Sequence, residues 1–179
     1  MLSSVIIFNL VLHTCLSELD MLHPSRPCTK AKSKNGYNTF LERHVREDIP
    51  TDLKKENWKM FINKIGTWNR TIQSFFPFSE KNNVTAVCSS GGKMYKDNLC
   101  ISKKIFSFIT VNIDSKKKIV KSVKRQKQHV ILACDKFKTK CLPDHFQANT
   151  KKYKPNNNKP DCSKVKIRSI NDEEVFSWL

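Results

Sequence analysis

Two histidines can do chemistry here: His44 in "FLERHV" and His145 in "CLPDHFQ". A histidine pair can divide acid–base work, because imidazole titrates near neutrality. One ring, neutral, accepts a proton while the other, as imidazolium, gives one up. Transphosphorylation of RNA needs that division. A base takes the proton of the ribose 2′-OH and an acid protonates the departing 5′-oxygen. A fixed cation beside them then stabilises the phosphorane-like transition state. Two histidines alone are weak evidence in a chain of 179 residues. His23 falls in a basic arm, and His129 opens an apolar strand, which suits a structural role.

The flanking pattern shows what must position them. Thr39 and Glu42 have capping-box spacing and predict a helix starting at Thr39. On it Phe40, Leu41, His44 and Val45 share one face, and Pro50 ends the segment. Thr51 is then placed to cap a second helix, with Trp58, Phe61, Ile62 and Ile65 as its buried stripe and Gly66 as its stop. "TIQSFF" (71–76) reads as a strand, and Ser79 as the cap of a third helix running towards "VTAVCSSGG". "IFSFITVNI" (105–113) and "HVILAC" (129–134) are β-branched or apolar runs expected as strands. Between them, "SKKKIVKSVKRQKQ" (115–128) holds seven basic residues and no acidic one, as either a solvated hairpin or a polyanion-binding patch. Helices followed by strands argue for an α+β domain with an antiparallel sheet.

Composition bounds the partners. Lys and Arg outnumber Asp and Glu by 33 to 16, a net charge of +17. Polyanions are the natural counterparts of such a surface. The first residues, "MLSSVIIFNLVLHTCLS", contain an apolar run from Val5 to Leu12, short of the about 20 residues a membrane span needs. The run fits the hydrophobic region of a signal peptide ending at Ser17, or a buried N-terminal helix. No stable membrane insertion is expected. Of seven cysteines, Cys15 lies in that leader. Cys28, Cys88, Cys100, Cys134, Cys141 and Cys162 remain, an even set suited to three disulfides in a secreted protein. Their spacing does not suit a structural zinc site, and no metal is expected. Only four glycines and no phosphate-cradling loop speak against a nucleotide cofactor, so none is expected. "KKYKPNNNKPDC" is polar and breaker-rich, so residues 150–160 are expected as a loop.

Taken in order, "FLERHV", "NVTAVCSSGG", "FSFITV", "KQHVILAC" and "LPDHF" resemble the motifs of the pancreatic ribonuclease (ribonuclease A) superfamily. They are similar to its first-helix histidine, its "VxAVC" helix, its central strands and its "PVHF" terminal strand, over about residues 37–148. "GGKMYKDNL" resembles the angiogenin-like branch of fishes. The resemblance implies three helices in the N-terminal half, packed on a bent antiparallel sheet and stapled by disulfides. It divides the chain into a signal peptide (1–17), a basic arm (18–36), a ribonuclease A-like domain (37–149) and a C-terminal extension (150–179).

Carried over residue by residue, the resemblance makes His44 the general base and His145 the general acid. Phe146 matches the aromatic beside the base-binding site, Arg70 the catalytic lysine, Gln73 an asparagine, and Ser74 the threonine that reads a pyrimidine edge. Three neighbours depart from the pattern. Arg70 replaces a flexible point charge with a planar fork. Arg43 stands where a phosphate-contacting glutamine is usual, and Gln147 where an aspartate orients the acid. Among the cysteines, the resemblance pairs Cys88 with Cys134; the remaining four are assigned as Cys28–Cys162 and Cys100–Cys141. "NRT" at Asn69 and "NVT" at Asn83 are glycan acceptors in a secreted protein, and a glycan on Asn69 would crowd Arg70.

Two functions follow from the resemblance. One is a secreted, extracellular, monomeric endoribonuclease of reduced activity, cleaving single-stranded RNA 3′ of pyrimidines without metal. The other is a non-catalytic cationic effector binding polyanionic glycans, anionic microbial surfaces or a cell-surface receptor. A disulfide-rich cationic growth factor of unrelated fold is a third class.

Overall fold

The computed structural model describes residues 27–28 and 35–162. The expected leader, most of the basic arm and the "SWL" terminus lie outside the described residues.

Among the described residues there are three helices: α1 (Gly36–His44), α2 (Lys55–Ile65) and α3 (Lys81–Ala86), the last preceded by a 3-10 turn at Phe78–Glu80. Seven strands follow or interleave: β1 (Ile72–Phe75), β2 (Gly92–Met94), β3 (Leu99–Ser102), β4 (Phe106–Asp114), β5 (Ile119–Gln128), β6 (Ile131–Phe137) and β7 (Lys140–Gln147). Every pairing is antiparallel. Hydrogen bonding orders them as β1-β4-β5 and β2-β3-β6-β7, the two arms of the expected bent antiparallel sheet. Strands β2 and β3 are too short and polar-flanked to show in the sequence pattern.

The helix boundaries differ from the expected caps. Helix α1 starts at Gly36, three residues before Thr39, and its N-cap Asn35 makes no side-chain capping bond. Packing draws the extra turn in. A Cβ on Gly36 would collide with the carboxylate of Asp144 on β7, so the missing side chain is what lets the two elements close. Helix α2 is anchored by Asp52 and not by Thr51. Asp52 Oδ1 accepts the Lys54 N–H (2.8 Å) and Oδ2 accepts from Asn57 Nδ2 (2.6 Å). Ser79 lies inside the 3-10 turn and does not cap α3. Gly66 does end α2, in the left-handed conformation (φ 66°).

Apolar side chains gather in two clusters. Trp58, Phe61 and Ile62 of α2 pack on Phe75, Ile109, Val111, Ile113 and Val120 of the three-stranded sheet. Phe40, Phe76, Val84, Phe106, Val130 and Leu132 form the second cluster around the disulfides. Adjacent side chains at the end of β1 serve both clusters, Phe75 one and Phe76 the other. The amide of Phe76 donates to the carbonyl of His44 (2.8 Å), which ties the end of α1 to β1.

The disulfides are Cys28–Cys141, Cys88–Cys134 and Cys100–Cys162. Cys88–Cys134 agrees with the resemblance. The Cys28–Cys162 and Cys100–Cys141 assignments are corrected, and the backbone gives the reason. The Cys28 N–H donates to the Cys134 carbonyl (2.9 Å), which lays the arm beside the β6–β7 hairpin and Cys141. The chain after residue 150 returns along β2. Met94 N–H donates to Pro160 O (3.0 Å), Cys162 N–H to Gly92 O (3.1 Å), and Asp161 binds Lys93 and Lys103 (3.0 and 2.8 Å). That path delivers Cys162 to β3 and Cys100. Residues 150–160 carry no regular helix or strand, in line with the loop expected from their composition.

Candidate active site

His44 is the last residue of α1, and its ring is buried at 6 % exposure. Its Nδ1 lies 2.7 Å from the main-chain carbonyl of Ser74 on β1. A carbonyl can only accept, so Nδ1 carries the proton and Nε2 is left with its lone pair. The hydrogen bond therefore selects the tautomer that can act as a base through Nε2. Burial lowers the His44 pKa to about 4; the Ser74 carbonyl opposes this, and the charges of Arg70, His145 and Arg43 reinforce it. The ring is neutral at pH 7.

Phe40 and Phe146 fix the plane of that ring, with centroids 5.1 and 5.6 Å from His44. Phe146 is itself wedged between Phe76 and Phe108, each at 5.7 Å. Alternation along β7 sends Phe146 inward and leaves His145 and Gln147 exposed. The register moves from Ala133↔His145 to Cys134↔Pro143, so Asp144 is the extra residue of a β-bulge immediately before His145. Beside the bulge, the Asp144 side chain lies against Gly36 at the start of α1.

Arg70 precedes β1 in a turn closed by its own N–H donating to Thr67 O (3.2 Å). Gln73, buried at 3 % exposure, donates its amide to Thr67 O (3.0 Å) and Arg70 O (3.3 Å). It braces the turn that carries Arg70. Burial and the neighbouring Arg43 depress the Arg70 pKa, which leaves a guanidinium still charged and places the two cations within reach of each other. Neither arginine forms an ion pair among the described residues, so their charge is available to an anion.

Ser74 Oγ meets Thr110 Oγ1 across the strand pair at 3.0 Å. Each hydroxyl can both donate and accept, and Ser74 is buried at 5 % exposure. Asn69 is exposed beside Arg70, and exposed Asn83 on α3 donates to Glu80 (2.9 Å) in the 3-10 turn. His129 bonds the Ser102 carbonyl through Nδ1 (2.8 Å) between β3 and β6, a structural placement.

The structure thus gathers His44, Arg43, Arg70, Ser74, His145 and Phe146 from α1, β1 and β7. Gln73 is turned into the backbone, and Gln147 sits at the outer edge. Sequence reasoning missed Asp144 and Gly36, because a bulge and a close approach between elements leave no periodic signal. It missed Thr110 because a cross-strand partner is defined only by register.

No family model and no curated protein matches the chain. Solved structures do. One is SS-RNase-2 des116-120, at 23 % identity over 64 % of this chain and 95 % of that one, with a TM-score of 0.50. Green turtle egg white ribonuclease gives 21 %, 63 %, 97 % and 0.51, and zebrafish RNase5 gives 20 %, 63 %, 92 % and 0.50. At these identities the likeness shows the fold: a ribonuclease A-like α+β architecture.

Proposed function

We propose that this ribonuclease A-like scaffold carries a weak, metal-free endoribonuclease that cleaves single-stranded RNA on the 3′ side of pyrimidines. The tautomer of His44 set by the Ser74 carbonyl is the observation that supports it most. His44 Nε2 takes the proton of the 2′-OH, and the 2′-oxygen attacks phosphorus. The P–O5′ bond breaks, with the proton for O5′ supplied by His145 as imidazolium. The products are a 2′,3′-cyclic phosphate and a 5′-hydroxyl. Arg70 and Arg43 face the charge that accumulates on the phosphoryl oxygens. The Ser74 hydroxyl and the Phe146 ring bound the pyrimidine.

Two features weaken the reaction. A planar guanidinium at Arg70 cannot follow the moving charge as a flexible ammonium does. Gln147 can hydrogen-bond His145 but gives it no anionic support. A glycan at Asn69 would blunt the site further towards long RNA. Three disulfides fit an oxidising compartment and so secretion, with the leader at residues 1–17 as its signal. The test is an oligoribonucleotide with a single pyrimidine. Cleavage just 3′ of it, leaving a cyclic phosphate, is expected; products ending in a free 3′-hydroxyl would contradict the chemistry.

Strand β5 favours a second reading, as a cationic effector. It is an open edge, with Lys121, Lys124, Arg125 and Lys127 exposed along it and Lys116–Lys118 in the turn before it. Such a ribbon suits a sulfated glycan or an anionic microbial surface. Salt-dependent heparin binding that survives His44→Ala and fails on neutralising Lys116–Lys118 would support this reading.

A further inference from the structure

Tyr95, just after β2, and Tyr153, in the segment after β7, lie side by side with ring centroids 5.8 Å apart and planes tilted by 43°. Both rings stay open to solvent, at 36 and 44 % exposure. They border a cavity of about 210 Å³ whose wall includes Leu99, Ile131, Gln147 and Lys151.

The backbone under these rings is held more firmly than packing of a surface ring requires. Asn149 is 2 % exposed and spends its side chain on this segment. Its Nδ2 donates to the carbonyls of His129 (2.9 Å) and Tyr153 (3.0 Å), and its Oδ1 accepts the Tyr153 N–H (2.9 Å). Both main-chain groups of Tyr153 are therefore clamped by one buried side chain, while the ring is left in water. Lys152 turns in the left-handed region (φ 53°) to allow it. On the other side, Tyr95 N–H donates to Leu99 O (2.9 Å). Rigid, exposed aromatic rings beside a cation form a preorganised stacking surface.

The location connects the cavity with the candidate active site. Gln147 forms part of its wall, and His145 lies two residues back on the same exposed face of β7, about 7 Å away at strand rise. His145 faces the leaving oxygen, so the cavity opens beyond the scissile linkage on the leaving-group side. Exposed Lys96, Lys151 and Lys154 supply charge for the phosphates that run past it.

We propose that Tyr95 and Tyr153 form a stacking platform for one nucleobase of the RNA strand, outside the two nucleotides joined by the scissile linkage. The inference rests on the ribonuclease reading for the direction of the strand. It uses a residue from the C-terminal extension, which gives that segment a role in substrate length preference.

The test is binding of a fluorescein-labelled single strand, made uncleavable by a 2′-deoxy sugar at the cleavage position, with an abasic site scanned along its leaving-group side. With the wild type, one abasic position should weaken binding roughly tenfold, as loss of one stacked base does. Tyr153→Ala should weaken binding of the intact strand similarly and erase the penalty at that one position; Tyr153→Phe should keep both. An abasic penalty that is absent in the wild type, or unchanged in Tyr153→Ala, would overturn the platform. If histidine-dependent RNA cleavage persists in that case, the ribonuclease reading stands without it. If the wild type does not cleave RNA yet the Tyr153-dependent penalty is present, the platform holds and the ribonuclease reading falls.

Discussion

The main-chain carbonyl of Ser74 sits 2.7 Å from Nδ1 of His44, inside a shell of Phe40 and Phe146. One hydrogen bond thus sets which nitrogen keeps a lone pair, while burial keeps the ring neutral. The same arrangement makes the site costly in acid, and this gives the first prediction.

His44 has a folded pKa of about 4 against an ordinary value of 6.5. As pH falls from 6.5 to 4 the unfolded chain binds the proton and the folded one does not. Stability therefore falls with pH across that window and levels off below it, by roughly 3 kcal/mol in all. Denaturant unfolding at pH 7 and pH 4 should show this loss in the wild type. It should be smaller by about that amount in His44→Gln. An equal pH dependence in both proteins would rule out the buried neutral histidine.

Arg70→Lys exchanges a fork for a point charge on a turn that Gln73 already braces. Steady-state RNA cleavage should speed up, about tenfold as an order of magnitude, mainly in kcat. An unchanged rate would mean that Arg70 does not face the transition state.

Gln73 is predicted to act through Arg70. Gln73→Ala takes the side-chain donor from the Arg70 carbonyl and leaves Thr67 O with the Arg70 N–H alone, and should cost about 1–3 kcal/mol of stability. Any cleavage should lose kcat more than KM, because the cation proposed to face the phosphate is loosened while the proposed pyrimidine contacts at Ser74 and Phe146 are left in place. A lower stability with kcat untouched would make Gln73 purely structural.

Gly36→Ala tests the closure of α1 on β7. Alanine would ordinarily favour a helix by about 0.5–1 kcal/mol over glycine. Here its Cβ meets the outer atoms of the Asp144 side chain, which must turn aside, so that gain is expected to be cancelled or reversed by up to about 1 kcal/mol. Asp144→Gly in the same chain should recover most of it, as coupled neighbours do. Additive losses in thermal or denaturant unfolding would exclude the contact.

The bridge Cys100–Cys162 closes a separation of 62 residues and fastens the C-terminal segment to β3. Replacing both cysteines with alanine should cost about 2–4 kcal/mol, and peptide mapping of the intact protein should recover Cys28–Cys141 and Cys100–Cys162. Recovery of Cys28–Cys162 would contradict the path of residues 150–162 along β2.

Much of this architecture is legible in the sequence. Periodicity located α2 through Trp58, Phe61 and Ile62, and β-branched runs located β4 and β6. These signals are local, and burial of one face enforces them. What escaped is set by contacts between distant segments. Helix α1 begins at Gly36 because Asp144 lies across from it, which no capping pattern near Thr39 could reveal. That Cys28 joins Cys141 and Cys162 joins Cys100 depends on where an arm and a tail dock, and six cysteines alone permit many connectivities. At the site, the identities of His44 and His145 were readable from their motifs. The turned-in amide of Gln73 and the bulge at Asp144 were not, since both follow from register.

The most direct measurement is RNA cleavage by the wild type beside His44→Ala and His145→Ala, at equal concentration and confirmed folding. The account predicts cleavage by the wild type that falls at least about a hundredfold in each variant, the contribution expected of a single acid or base. Wild-type cleavage no faster than that of either variant would contradict it.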